Sequence, residues 1–489
     1  MAFKHGTYAD QIPYAGKLAA TAVGTIPAYI GTAPIQQINT LGAAGFNYAP
    51  YINKPILIES MPQAQAKLGY SADWASYTLG EAIMAHFGNG VAPIGPIVVV
   101  NMANPADKES TDTTATVTLS GATADKVGYI ADAKAAIENI VVTATPSITA
   151  SDYTLTYEGD SIKIHITKAA FAASTCTATY KKIDTSNTAI TTTDFETALS
   201  ALDLCESSVG VIPNLVVAPG YSKDAAYHAK MIAKVTGKIS GKWGFITLSD
   251  VPAATVTTIA LAIAWKSTNG YTSKYDKPCF PRVLFGGVKY HLSTMTAVDM
   301  QAQDTASSGV PYISPSNKTI FAASAILDDG TPLYIDEPTA NTANAKGLTT
   351  VNIIRGALRL WGGVMANYDS DAIDNINPED RSDASIRMMV YLCNTLQYDY
   401  IDSIDGPMSK RDIDSIKVSV QQWLNSLVNE GKLLYATVDF VDSANSTSAM
   451  ADGDFVFNVS TTTTPNAKSI TFKVQYTTTG LTTLTGGVQ

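Results

Sequence analysis

The sequence changes character twice, and this limits the folds open to it. From Thr25 to Met102, and again from Leu215 to Phe285, short runs of large apolar residues alternate with amphipathic stretches. Between Asn104 and about Ser207 the composition shifts to Thr, Ala, Ser and Asp, and apolar residues recur at every second position, as in Tyr153-Thr154-Leu155-Thr156-Tyr157 and Ile162-Lys163-Ile164-His165-Ile166. Period-two alternation makes strands with one buried face. Uninterrupted runs such as Ile97-Val98-Val99-Val100 make strands covered on both faces. One fold therefore has to hold a sheet buried on both sides and, inserted into its sequence, a β-rich module.

The flanking stretches predict strands at Ile26–Gly31, Pro55–Ile58, Leu215–Ala218, Gly244–Leu248 and Arg282–Phe285. Between them lie helices at about Ser76 to Phe87, from a Ser222 cap to Gly237, and around Thr255 to Lys266, the last holding the apolar run Ile259–Trp265, which reads as buried. A largely parallel sheet with crossover helices buries this pattern most simply. Farther on, Ser409 with Asp412 three residues later opens the clearest amphipathic helix, with Ile413, Ile416, Val420, Trp423, Leu424, Leu427 and Val428 on one face and Gly431 as the stop. Strands are expected after it at Tyr435–Val441, Asp454–Ser460 and Ser469–Tyr476.

The 489 residues, at roughly 150 per domain, suggest about three domains. The fold class expected is a mixed α/β and α+β multidomain chain. Its parts are an arm at 1–24, a central α/β domain at 25–103 plus 208–345, a Thr-rich β-sandwich-like insertion at 104–207, a C-terminal α/β domain at 346–468 and a second arm at 469–489.

The composition is chemically quiet. Charged residues are only 16%, and 33 Lys plus Arg against 43 Asp plus Glu give a net charge of −10. That surface does not collect phosphates, which argues against nucleic acid as a partner. Cys176, Cys205, Cys279 and Cys393 form no ligand spacing and are expected as buried free thiols. His5, His86, His165, His228 and His291 never fall at zinc-site spacing, and structural or surface roles are expected for them. Gly237-Lys238-Ile239-Ser240-Gly241-Lys242 has its glycines one residue too close for a phosphate loop and follows a helix rather than a strand. No GxSxG elbow occurs. The acidic run Asp369, Asp371, Asp374, Glu379 and Asp380 lacks EF-hand spacing and reads as a solvated loop. These features predict no catalytic site, cofactor or metal. The N-terminus lacks a basic segment followed by an apolar one, so synthesis and folding in a cytoplasm are expected, and no stretch reaches the ~20 apolar residues of a bilayer span.

Several segments, in order, resemble the contractile tail sheath proteins of bacteriophages and phage-tail-like bacteriocins. They are Gly6-Thr7-Tyr8, Ile26 to Ala33, Pro55 to Ile58, Lys67-Leu68-Gly69, Leu79 to Ala82, Phe87 to Gly90 and Val98 to Val100. Farther on come Gly309 to Lys318, Val351 to Arg355, Arg359-Leu360-Trp361-Gly362, and Asn429 to Leu433 with the terminal hairpin, so that roughly three quarters of the chain takes part. The Thr-rich insertion and the Ser385 to Val390 run depart from the pattern.

The resemblance implies a homo-oligomer of stacked six-fold rings forming a helical sleeve around a tail tube protein. Baseplate and tail terminator proteins would be further partners, without nucleic acid or direct membrane insertion. The particle would be a virion tail or phage-tail-like particle assembled in a bacterial cytoplasm. It also implies terminal arms that lend strands to neighbouring copies. The candidates are Gly6, Thr7, Tyr8, Ala9, Asp10, Gln11 and Ile12 at one end, and Ile470, Thr471, Phe472, Lys473, Val474, Gln475 and Tyr476 at the other. Lys410, Arg411 and Lys417 are candidates for contact with the tube. An ordinary terminal strand within its own domain is the plainer reading of each arm. A Thr-rich surface-array or adhesin protein is the alternative function, with an α/β hydrolase or transferase third.

Overall fold

A computed structural model describes residues 24–88, 93–186 and 189–485. Strands β1 (Pro27–Gly31), β2 (Ile56–Ile58) and β3 (Ile97–Asn101) precede the Thr-rich stretch. That stretch holds β4 (Glu109–Thr118), β5 (Lys126–Ile130), β6 (Val141–Thr143), β7 (Tyr153–Glu158), β8 (Ser161–Ile166) and β9 (Thr175–Ile183). Strands β10 (Leu215–Val217), β11 (Ile246–Asp250) and β12 (Asp276–Cys279) follow it.

The six outer strands of this list form one sheet in the order β12-β11-β10-β1-β3-β2. Its first five strands are parallel and β2 runs antiparallel at the edge. β1 and β3 are buried at every position, as continuous apolar runs require. On one face Ala28, Ile30, Val98, Val100 and Val216 pack against Phe195, Leu199, Tyr227 and Met231. These come from helices Thr192–Ser200 and Ala225–Gly237. On the other face Tyr29, Val99, Val217 and Leu248 meet Leu68, Leu79, Ala297 and Met300, the last two on helix Leu292–Ala306.

The Thr-rich stretch folds as two three-stranded antiparallel sheets, β4-β9-β6 and β5-β8-β7. Strand β8 alternates buried Ile162, Ile164 and Ile166 with half-buried partners, and these isoleucines join Phe171, Ala178 and Tyr180 in a separate core. The helical end of the expected 104–207 insertion behaves differently. Thr191 and Asp194 form a capping box, worth about 1 kcal/mol, and Phe195, Leu199, Leu202 and Cys205 point into the parallel-sheet core. Sequence composition alone assigned these residues to the β-rich region because Thr191, Thr192 and Thr193 continue its bias.

Strands β13 (Arg282–Phe285), β14 (Val288–Tyr290) and β15 (Ser324–Ile326) make a small antiparallel sheet, and β16 (Thr350–Ile354) pairs with β17 (Ala357–Trp361). After helices Asp383–Asp399 and Lys410–Asn429 come β18 (Leu433–Asp439) and β19 (Asn458–Thr463), paired antiparallel. The long helix starts where expected, with Ser409 and Asp412 in a capping box, and Gly431 follows it at φ 74°.

Four local expectations are corrected. Asp224, not Ser222, caps the helix after β10, while Ser222 exchanges hydrogen bonds with Asp250. The helix expected over Ser76–Phe87 begins at Leu79 and continues as a π-turn at Met84–Gly88. In Ile259–Thr268 only one face is covered, since Leu261 is 50% exposed. Cys393 is exposed on helix Asp383–Asp399, whereas the other three thiols are buried.

Candidate assembly surfaces

Ser469–Tyr476 is expected as a strand, and its alternation is ideal for one. The structure gives it no strand partner among the described residues. Instead Ile470, Phe472, Val474 and Tyr476 stand 72%, 85%, 94% and 79% exposed, with Thr471, Lys473 and Gln475 between them also exposed. Four apolar side chains in regular alternation facing water are costly at roughly 25 cal/mol per Å². The segment is attached at its base. Lys468 Nζ donates to Tyr368 Oη at 2.8 Å and lies 5.2 Å from the centre of that ring.

Strands β18 and β19 form a two-stranded sheet, so within the described residues each has one edge without a ladder partner. Its inner face is held by helix Lys410–Asn429, where Val420, Leu424 and Leu427 pack on Leu433, Ala436 and Val438. Gln421 reinforces the contact by donating to Ala436 O and accepting from Val438 N. Leu434 and Tyr435, at a bulge in β18, are 56% and 54% exposed.

Gly6 to Ile12 lie outside the described residues. Lys410 and Arg411 are exposed in the first turn of the long helix, and Lys417 is half-buried one heptad on from Lys410, hence on the same face. Asp412 shares this turn and Asp414 opens the next, so the helix end carries both signs of charge.

Elsewhere the polar side chains form internal structure. His86 sits between Tyr29 Oη (2.7 Å) and Ile94 O (2.8 Å), and burial pushes its pKa down to about 4. His228 contacts Asp276 at 3.0 Å and stacks on Tyr271. His291 engages Glu81 through both its backbone N and Nδ1. Despite full burial, that partner together with Arg282 holds the Glu81 carboxyl below the usual range. In the 237–242 turn, the backbone N of Ser240 donates to the Asp203 carboxylate, where a phosphate loop would present free amides. The acidic run is countered by lysines, with Lys346 on Asp369 and Asp371 and Lys274 on Asp380. Among the described residues no three His, Cys, Asp or Glu side chains group as a metal site.

Two buried ion pairs escaped sequence reading. Lys277 on β12 is wholly shielded and donates to Asp383 Oδ2 (2.9 Å), Gly362 O (2.6 Å) and Val364 O (3.1 Å). Arg387 pairs with Asp304, both buried. Each joins the region of the parallel sheet to helix Asp383–Asp399. A lysine in the polar tetrapeptide Asp276–Cys279 carried no signal of this, since its partners lie 85 to 106 residues away.

No known family model matches the chain. The tail sheath protein of Burkholderia phage BcepMu is 23% identical over 492 residues, spanning 95% of this chain and 98% of that protein. Among solved structures, a chain of the six-fold symmetrised anti-feeding prophage baseplate has a TM-score of 0.57 at 12% identity, covering 98% of this chain and 100% of that one. The sheath complex of the extracellular contractile injection system PVC, in its contracted state, gives 0.53 at 12% identity over 98% and 99%. The sheath tail protein of Listeria innocua gives 0.53 at 13% identity over 92% and 95%. Over nearly its whole length the chain is thus similar in sequence to a phage tail sheath protein and in fold to chains of contractile particles.

Proposed function

We propose that this chain is the structural subunit of a contractile tail sheath, a sleeve of identical copies polymerised helically around an inner tube and able to shorten so as to drive that tube through a target envelope. The observation that carries the reading is the exposed alternating stripe Ile470, Phe472, Val474 and Tyr476, next in sequence to a two-stranded sheet whose outer edges have no partner among the described residues. A segment of this kind lacks both ladder partners and a covered face. Pairing with the edge of β18 or β19 in a second copy supplies both at once. Such a contact joins unlike surfaces of identical chains, so it can pass from copy to copy, within a ring or along a helical stack of rings. Gly6 to Ile12 serve as the second lent strand by resemblance to the family.

Contraction in this reading is a rigid-body shift of subunit bodies joined by their arms, from a kinetically trapped extended lattice to a lower-energy compact one. The energy is stored at assembly, and no bound nucleotide is called for. The Thr-rich sheets act as an outer domain directed away from the tube, and Lys410, Arg411 and Lys417 contact the tube protein. Stacked six-fold rings, baseplate and terminator partners, and assembly in a host cytoplasm complete the proposal.

The test is truncation. Chains lacking residues 1–13 or 469–489 should melt like the full chain but give only dispersed particles in negative-stain microscopy. Ordinary sleeves from both truncations would overturn the strand-lending mechanism.

A further inference from the structure

The outer edges of β18 and β19 are not alike. In an antiparallel pair the N–H and C=O of one residue point to the same side, and successive residues alternate between the partner strand and the outer edge. On β18 the outward groups at mid-strand are already taken, since Gln421 Nε2 donates to Ala436 O (3.0 Å) and Gln421 Oε1 accepts from Val438 N (3.1 Å). A side-chain amide bridging those two groups stands where a residue of a further strand would bond, so the long helix closes this edge. Because Ala436 and Val438 face outward, Thr437 and Asp439 face β19, opposite Ser460 and Asn458. The outward residues of β19 are therefore Val459, Thr461 and Thr463, whose backbone groups have no hydrogen-bond partner among the described residues.

The flank of that open edge is apolar. Ser385 Oγ, at the start of helix Asp383–Asp399, lies 2.8 Å from Thr463 Oγ1 and so fixes this helix beneath β19. Around the helix, Met388 and Leu392 enter the core under β18, and Tyr391 turns toward Trp423 of the long helix, 6.4 Å between ring centres. Asn394 bonds the backbone N and O of Gly244. Met389 and Cys393 follow Ser385 at successive turns, so they share its face, on the side away from the long helix. Both are exposed, Met389 at 37%. A strand added to β19 would lie over them.

We propose that the outer edge of β19 and the shelf of Ser385, Met389 and Cys393 form the groove that receives residues 470–476 of a second copy. The inference rests on the strand-lending reading above and assigns its receiving site. The edge supplies ladder bonds through Val459, Thr461 and Thr463, and the shelf covers the stripe of Ile470, Phe472, Val474 and Tyr476, so one groove meets both needs of the segment. In its own chain the segment does not enter the groove, because Thr464 Oγ1 is held on Gly431 O and Lys468 on Tyr368 as the chain leaves β19.

The test uses the full chain. Val474→Cys puts a thiol on the segment, Cys393 is the exposed native thiol, and Cys176, Cys205 and Cys279 are buried. Treated with a short bismaleimide after assembly, this chain should give covalent multimers on a denaturing gel, whereas the parent and the double substitution Val474→Cys, Cys393→Ser should not. Met389→Asp should melt like the parent yet raise the concentration needed to polymerise, read by sedimentation, about tenfold, as expected for losing one buried methionine. Assembled sleeves without covalent multimers, cross-links confined to single chains, or Met389→Asp polymerising at the parent's concentration would each overturn the groove. Loss of folding in Met389→Asp would also overturn it, by placing that residue in the core. The chain lacking residues 469–489 separates the two readings. If it polymerises normally, strand lending by this end fails whatever the groove does. If it does not, while Met389→Asp assembles like the parent, strand lending stands and the groove on β19 falls.

Discussion

The parallel sheet and the Thr-rich sheets solve the same burial problem in opposite ways. In the first, helices cover both faces and even charged groups are enclosed: Asp276 and Lys277 are completely buried on β12. In the second, alternate residues of β4 and β7 face water, and the core is a thin layer of isoleucine, phenylalanine and tyrosine between two small sheets. The enclosed sheet has to satisfy every polar group internally, which binds distant parts of the chain to it. The open pair of sheets leaves its polar groups to solvent and stays energetically more local.

The largest effect should come from Lys277→Ala, which strands the buried Asp383 carboxylate together with the Gly362 and Val364 carbonyls. A loss of about 4 kcal/mol is expected, since breaking a buried pair leaves an uncompensated charge. Denaturant unfolding should show it as a fall in the midpoint of the main transition. An unchanged midpoint would mean that the enclosed sheet does not depend on this node.

Phe171→Ala, in the centre of the Thr-rich core, should cost about 3 kcal/mol by opening a cavity. The distinguishing readout is where the loss is felt. Hydrogen exchange should quicken in β5, β7 and β8 and leave β1, β3 and β10 as slow as before. Equal acceleration in both regions would abolish the contrast between a local and a long-range core.

A smaller and pH-dependent effect separates groups within the enclosed region itself. Burial pushes the Asp299 carboxyl up to about 7, opposed by Lys318 and Arg387 and assisted by Asp304, and its Oδ2 has no hydrogen-bond partner among the described residues. The folded-state value is above the unfolded one, so its contribution favours the fold in acid and is lost as pH rises toward and through 7. Asp299→Asn removes the charge that burial penalises and should therefore stabilise by about 1–2 kcal/mol at pH 8, with the gain fading toward pH 4. Glu81 has the opposite sign, because its lowered carboxyl supports the fold at neutral pH and loses that contribution as pH falls through its folded value. Melting curves of the Asp299→Asn chain across this range check the sign, and a gain that does not vary with pH would refute the assignment.

What could be read beforehand follows the same division. Uninterrupted runs identified β1, β3 and β10, and alternation identified β7 and β8, because each pattern is set by how many faces are covered. Alternation also marked Ile470 to Tyr476 as a strand, yet within one chain it is none. Periodicity states that a face needs cover and is silent about which molecule provides it. The helix Thr192–Ser200 was hidden because its cap and first turn are threonines, the residues that signalled strand just before. The partners of Lys277, Arg387 and Asp304 were beyond reach for another reason: a buried charge is legible only once the fold brings its counter-charge alongside, and none of these pairs is close in sequence.

The two lysines described above fail differently under tension. Lys277 has three protein acceptors and no solvent beside it, so a lost contact finds no substitute and the joint holds or gives way as a unit. The exposed Lys468 can trade its tyrosine for water at little expense. In the proposed sleeve, a copy tugged by its neighbours should therefore swivel at residue 468 long before its interior tears, much as a rope slips on its cleat while the hull stays whole.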